Sequence, residues 1–416
     1  GRAAAVVLTM IRRVWARRLA LDLPGPVSRA LRWDALAGWV GGLFAGALFP
    51  FLGVIARRDL HASPYLLAVL NSSYAVGNLF NPVVAHHIRD RPKLPHAVWP
   101  MLAGRACYLF MPLALVAPIY VGISFVANAV SSLAAPAYAA VIRDAYPAAR
   151  RGRLMGWVRV VAVAGTMVGA LAGGAVLDMV SFRWVFPSVA LVGILASLAF
   201  SRIGVPAAPE GPPAPYARLM EGFRAVRRDQ AFSLYSTCFY LYGLGNLIMG
   251  PVVPVFQVDV LHISTRWVGY LSTTASACSM LGYLYWGRVL DRHGPFRLML
   301  MVIAVISLSP ITYALAHSLP VLLIAAAASG FAMAGGDLGY VNAAMRFGRR
   351  ELAASYAGMF AFLQALRGIP GPFIGAALNS LIGPRWVFVI ALALWAAAIT
   401  TLVTRGGLRL HTEQEP

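Results

Sequence analysis

The chain has 416 residues, of which 59% are hydrophobic and 12% charged, with a mean hydropathy of +0.70. A soluble domain carries about 25% charged residues, so a soluble globular protein is excluded. The net charge of +20 would suggest nucleic acid in a soluble chain. No nucleic-acid-reading motif accompanies it here, and its uneven placement along the chain has another explanation.

In chain order, residues 1–32 contain the basic amphipathic run MIRRVWARRLALDL, interrupted by Arg12, Arg13, Arg17 and Arg18 and followed by no small-residue cleavage site. It reads as a helix lying on the membrane surface rather than a leader. Apolar stretches near the ~20 residues that cross a bilayer core then predict twelve spans. Their approximate bounds are 33–56, 64–88, 96–117, 118–142, 153–179, 183–205, 231–257, 264–289, 295–317, 319–345, 351–380 and 384–405. The spans form two bundles, 33–205 and 231–405, separated by a Pro-rich then basic linker at 206–230 and followed by a tail at 406–416. With both termini on one side, that side collects 27 of the 35 Lys and Arg. The positive-inside rule makes it cytoplasmic, where the basic excess meets anionic headgroups.

The two bundles repeat each other. RWVF occurs at 183–186 and again at 385–388. At nearly the same offset, Leu60-His61-x-Ser63 pairs with Leu261-His262-x-Ser264, Pro50 with Pro251, Asp90-Arg91 with Asp291-Arg292, and Gly169-x-x-x-Gly173 with Gly371-x-x-x-Gly375. Ordered matches at one offset mark a duplicated architecture. RWVF opens spans six and twelve, where Trp suits the headgroup layer.

The loop GRVLDRHGPFR at 287–297 resembles the G-x-x-x-D-R-x-G-x-x-R signature of the major facilitator superfamily, through Gly287, Asp291, Arg292, Gly294 and Arg297. The first-half loop HHIRDRPK keeps Asp90 and Arg91 but has His86 and Lys93 where the glycines belong. The resemblance implies an all-α polytopic membrane protein of that fold, with twelve transmembrane helices in two six-helix pseudo-repeat bundles. It also implies a gate, in which Asp90 faces the start of span eleven and Asp291 the start of span five. A helix N-terminus carries about half a positive charge, which such an acid can meet. Span five, GTMVGALAGG, resembles the glycine-rich helix of the exporter branch through Gly165, Gly169, Gly173 and Gly174, with Ala170 replacing its proline. Glycines so spaced let helices approach closely. Span seven, LGNLIMGPVVP, resembles an exporter motif that the family carries in span one. Span four lacks the arginine that proton-coupled members place there.

Ionisable groups at membrane depth are functional candidates. Asp337 in span ten is the first coupling candidate: it either carries a proton or a cationic substrate group, or snorkels to the cytoplasmic surface or pairs with Arg346. Asp34, at the edge of span one, is the second. Arg105 in span three is either structural, bonded to carbonyls, or a substrate ligand. Arg367 in span eleven is a candidate for substrate or charge-network contact, and Asp178 is read as interfacial. Asn71, Asn128, Asn246, Gln364, Tyr235 and Tyr240 complete a mixed polar and aromatic cavity suited to an amphiphilic molecule. Cys107, Cys238 and Cys278 have no metal or disulfide spacing, and the adjacent His86 and His87 diverge on a helix, so no metal site is expected. No nucleotide-binding motif is visible, and no cofactor is expected.

The reading is a secondary transporter, not an enzyme, that moves a small organic solute by alternating access in proton-coupled efflux. The alternatives are uptake of a nutrient or organic anion, and a lipid-translocating or non-transporting protein on the same fold. The expected partners are a small-molecule substrate, protons or another coupling ion, and the bilayer, with no nucleic acid. The expected state is a monomer, multi-pass in a bacterial inner membrane with both termini cytoplasmic.

Overall fold

The computed structural model describes residues 23–88, 91–147, 149–204, 229–346, 359 and 363–405. The amphipathic stretch within 1–22, Asp90, almost all of the 206–230 linker and the 406–416 tail lie outside the described residues.

Helices occur at all twelve expected positions, with differences at their ends and breaks. Span one is a single helix, Gly25–Arg58. It begins inside the stretch assigned to the basic N-terminal segment, because Pro24-Gly25-Pro26 supplies a helix start. Span two is divided into Pro64–Asn78 and Asn81–His87, with Pro82 just inside the second piece. Span three passes from Lys93–Cys107 into a 3-10 turn, Tyr108–Leu113, which contains Pro112. Proline removes a backbone donor and crowds the preceding turn, so these breaks fall where the sequence places them. Span four comprises Ala117–Ser132 and Ala135–Ala145, span five is Arg151–Leu177 and span six Phe182–Phe200. Span seven is Gln230–Met249, then Val252–Val255 and a π turn, Phe256–Val260. Span ten is Leu322–Arg346; spans eleven and twelve include Pro370–Ile382 and Pro384–Thr404.

Spans eight and nine run through Thr265–Ile306 and Leu308–Leu315, reversing at Gly294, whose φ is 72° and ψ 178°. Side chains with a Cβ avoid that region. The glycine of the signature is therefore a backbone requirement of the turn. Lys93, at the matching place in the first half, instead begins a helix. The two loops differ because the first lacks the residue that permits the turn.

The repeat extends to backbone detail. His61 and His262 both have φ 51°. Ala62 N–H donates to the Ala56 carbonyl at 2.8 Å, and Ile263 N–H to the Gln257 carbonyl at 2.9 Å. Ser63 and Ser264 then accept from the backbone N–H three residues on, Leu66 at 3.3 Å and Trp267 at 3.5 Å. L-H-x-S is thus one compact device, a left-handed turn followed by a capped helix. RWVF also repeats its orientation: Trp184 and Trp386 are 69% and 62% exposed, while Phe186 and Phe388 are fully buried.

Glycine spacing positions the bundles. A Cβ at Gly165 or Gly169 would collide with the Trp39 and Leu43 carbonyls of span one, and one at Gly173 would lie 2.9 Å from Ala47 Cα. Gly42 and Gly46 of span one interlock from the other side, against Ala162 and Thr166. Span eleven repeats this on span seven: Gly371 faces Leu247 and Gly375 the Ile248 carbonyl. Gly174 instead turns to the other bundle, where a Cβ would be 2.7 Å from the Thr265 carbonyl of span eight.

Candidate functional site

The bundles meet unequally along their length. At the end carrying residues 57–64, 178–183 and 259–266 they are tied by charge. Arg57 Nε donates to both oxygens of Asp259, at 2.9 and 3.1 Å, and its Nη1 to the Ala62 carbonyl at 2.9 Å. Asp178, at the end of span five, accepts from Thr265 N–H at 3.0 Å and from the Thr265 hydroxyl, and pairs with Arg266 at 3.1 Å. An acid of one bundle therefore occupies the positive N-terminus of a helix in the other. Asp178, read as interfacial, also holds the start of span eight: the fold brings that helix to it, which spacing within span five could not reveal.

From this sealed end the seams continue inward through Gly269 against Ala170, Thr273 donating to the Met167 carbonyl at 3.4 Å, and Gly368 against Ala75. Their innermost charged contact is a triad. Asp337 Oδ2 accepts from Tyr283 Oη at 2.6 Å and from Arg159 Nη2 at 3.2 Å, while Arg159 Nη2 also reaches Tyr283 Oη at 2.8 Å. The guanidinium lies 5.3 Å from the Tyr283 ring centroid. Arg159 belongs to span five of the first bundle; Tyr283 and Asp337 belong to spans eight and ten of the second. The side chains of Arg159 and Asp337 remain 61% and 46% exposed, so the triad is open on one side rather than packed away. Closer to the chain ends, Asp291 and Arg292 are exposed and make no hydrogen bond or ion pair among the described residues. The contact expected between Asp291 and the start of span five is not formed in this conformation. No Cβ-sized obstacle surrounds Gly287.

The remaining sequence candidates divide into two groups. Asn71, Asn246 and Gln364 are exposed, and Tyr240 is partly so; they sit on spans two, seven and eleven. The others are buried or half-buried and make their contacts within their own bundle. Tyr235 is 1% exposed, edge-on to Phe296 at 5.7 Å. Asn128 is 4% exposed; it accepts from Tyr108 Oη at 3.0 Å and donates to Ser73 Oγ at 3.2 Å, joining spans two, three and four. Arg105 donates to the Gly193 carbonyl and to Ser197 Oγ, both at 2.7 Å, and lies over Phe44. Arg367 is 6% exposed, donates to the Phe239 and Tyr240 carbonyls and stacks on Phe239 at 4.5 Å. A buried cation is held by such oxygens and ring faces because it cannot remain bare. Asp34 is 3% exposed rather than interfacial, and accepts from Tyr146 Oη at 2.6 Å. Span one starts about two turns earlier than predicted, which draws Asp34 into the packed bundle. Asp337 pairs with Arg159; the side chain of Arg346, its other expected partner, lies outside the described residues.

Arg159 and Tyr283 escaped the sequence reading. One signal was present: Arg159 lies within a span whose only acid, Asp178, is 19 residues away at its far end. The only carboxylate predicted well inside the second bundle was Asp337, and pairing the two required only charge balance.

Replacing Asp178 by Asn should loosen the sealed end. The substitution removes a charge from a helix N-terminus, a contact of about 0.3–2 kcal/mol, and its pairing with a half-exposed Arg266, about 0.2–1 kcal/mol. Cysteines placed at Leu60 and Val180 and labelled from that side should react several-fold faster in the Asp178→Asn protein. Unchanged rates would show that the apolar seam alone holds that end.

The family model described as Major Facilitator Superfamily matches residues 35–372. Among curated proteins, an uncharacterized MFS-type transporter, YuxJ of Bacillus subtilis, is 27% identical over 254 residues, 59% of this chain and 64% of that protein. The MFS-type transporter TOXA of Cochliobolus carbonum is 29% identical over 167 residues, 39% of this chain and 30% of that protein. These alignments therefore span less than two thirds of either relative. Among solved structures, a bacterial homologue of the human lysosomal transporter Spinster, inward-facing and unoccupied, aligns with TM-score 0.72 at 15% identity, over 95% of this chain and 100% of that one. The nucleoside transporter NupG, in a point-mutant form, aligns with TM-score 0.75 at 12% identity, over 90% and 99%. At these identities the likeness is one of fold.

Proposed function

Since the chain belongs to the Major Facilitator Superfamily, whose members carry small molecules across membranes and are not enzymes in general, we propose that it exports a small organic solute in exchange for protons. The observation that carries this reading is the Arg159–Tyr283–Asp337 triad. It joins the two bundles, is about half exposed and contains a carboxylate. Protonating Asp337 neutralises it and weakens the tie between the bundles. A solute bound nearby can bias the same equilibrium, and two ligands that bias one equilibrium are coupled. The exposed Asn246 and Gln364 and the half-buried Tyr240 suit an amphiphilic solute. The outward direction rests on the resemblance of span five to exporter helices, and the placement in a bacterial inner membrane with cytoplasmic ends rests on the basic excess at that end.

Uptake of an organic anion is a second reading, favoured by the 61% exposure of the Arg159 side chain. Arg105 and Arg367, the cations first considered for it, are bound to carbonyls.

The test is purified protein in liposomes, screened with lipophilic cations and small organic anions under an imposed pH gradient. Solute-dependent proton flux of opposite direction to solute flux supports export by exchange. Flux in the same direction supports anion uptake, and flux indifferent to pH removes the proton from the mechanism.

A further inference from the structure

We propose that a groove between spans two and three, at the end carrying both chain ends, binds one anionic phospholipid. This site is distinct from the Arg159–Tyr283–Asp337 triad and independent of what the protein transports. The groove is a cavity of about 350 Å³, and its floor and walls include Val83, Val84, Trp99, Pro100 and Leu133. Sites for small molecules occupy roughly 300–1,000 Å³. Val83 and Trp99 are 67% and 66% exposed, large apolar surfaces with no protein cover among the described residues. Span three packs on spans four and six of its own bundle. It is therefore at the perimeter, and the groove opens toward lipid.

The mouth of the groove is basic. Arg91 Nη1 donates to His87 Nε2 at 2.6 Å. Because arginine is only a donor, His87 accepts at Nε2 and carries its proton on Nδ1. The arginine's remaining N–H groups and that Nδ1–H are then available to one anion. His96, whose ring centroid is 5.7 Å from that of His87, donates from Nδ1 to the Pro92 carbonyl at 2.8 Å. Asp144 is paired with Lys93 at 3.0 Å and Arg143 at 3.3 Å, while Asp90, beside Arg91 in the loop, lies outside the described residues.

Depth orders these groups as a lipid orders its own. Arg91 lies in the loop, His96 on the first turn of span three, and Trp99 and Pro100 about one turn deeper, roughly 5 Å. A phosphate at Arg91 and His87 would leave an acyl chain running past Trp99 and Val83. Basic pockets between helices on the cytoplasmic side suit anionic headgroups. Free phosphate would gain the charge contacts but leave the apolar groove empty.

The experiment is native mass spectrometry of the full chain, purified from nanodiscs holding equal phosphatidylglycerol and phosphatidylcholine with identical acyl chains. One phosphatidylglycerol should remain bound, in at least tenfold preference. Arg91→Gln with His87→Gln should lose it by about tenfold. Val83→Trp, which fills the groove without changing charge, should do the same if the first variant proves unstable. Arg150→Gln, an equal charge change at the same end, should retain the lipid. Equal retention of both lipids, retention by the Arg91 or Val83 variants, or displacement by millimolar inorganic phosphate would overturn the proposal. None of these readouts depends on transport.

Discussion

Asp337→Asn should abolish pH-driven transport, lowering it at least tenfold, while leaving the protein folded and monodisperse. The two halves of this expectation rest on different magnitudes. The ion pair with Arg159 is about half exposed, and pairs in that setting contribute about 0–1 kcal/mol, so its loss should not unfold the chain. Coupling, in contrast, needs a group that gains and loses a proton between the bundles, and Asn cannot titrate. Arg159→Gln should impair transport as well, and the double variant should be little worse than either single one. Contacting residues that act as a unit are not additive. If Asp337→Asn still moves solute against its gradient with an ordinary pH dependence, the proton site lies elsewhere. Asp34, buried against Tyr146, would be the next carboxylate to test.

The second large effect is on the fold itself. Gly243→Ala should cost about 3 kcal/mol or more, because the added Cβ would fall on the Arg367 guanidinium. That group cannot retreat. It is buried, fixed by the Phe239 and Tyr240 carbonyls and stacked on the Phe239 ring. Overpacking costs about 1–3 kcal/mol, and each hydrogen bond lost from a charged group about 1.5–3 kcal/mol. Gly122→Ala is the control, since nothing lies within 4 Å of its added Cβ. Alanine in an open helical site is favoured over glycine by about 0.5–1 kcal/mol. Size-exclusion profiles after heating should show Gly243→Ala collapsing many degrees below the parent, with Gly122→Ala at or above it. Equal profiles would mean that Arg367 is mobile and free for substrate.

What the sequence determined by itself was whatever depends on short range or on solvent. Apolar runs located the helices because a bilayer core demands continuous apolar surface. Pro82 and Pro112 marked breaks because proline's effect is local. L-H-x-S and RWVF revealed the duplication, and the same residues make the same turns and present the same faces in both halves. Gly169 with Gly173, and Gly371 with Gly375, announced close helix approach, since only a missing Cβ permits it.

Tertiary structure decided what each intramembrane charge does. Arg105, Arg159 and Arg367 look alike in sequence, each a cation within an apolar span. Arg105 and Arg367 end on carbonyls of their own bundle, whereas Arg159 crosses to Asp337 in the other. Asp34 and Asp178 both read as edge acids, yet one is buried under Tyr146 and the other holds the start of span eight. The physical reason is common to all five. The cost of a charge in the membrane is set by its burial and by the partners the fold supplies. Those partners here lie up to 178 residues away, beyond the reach of any periodicity along the chain.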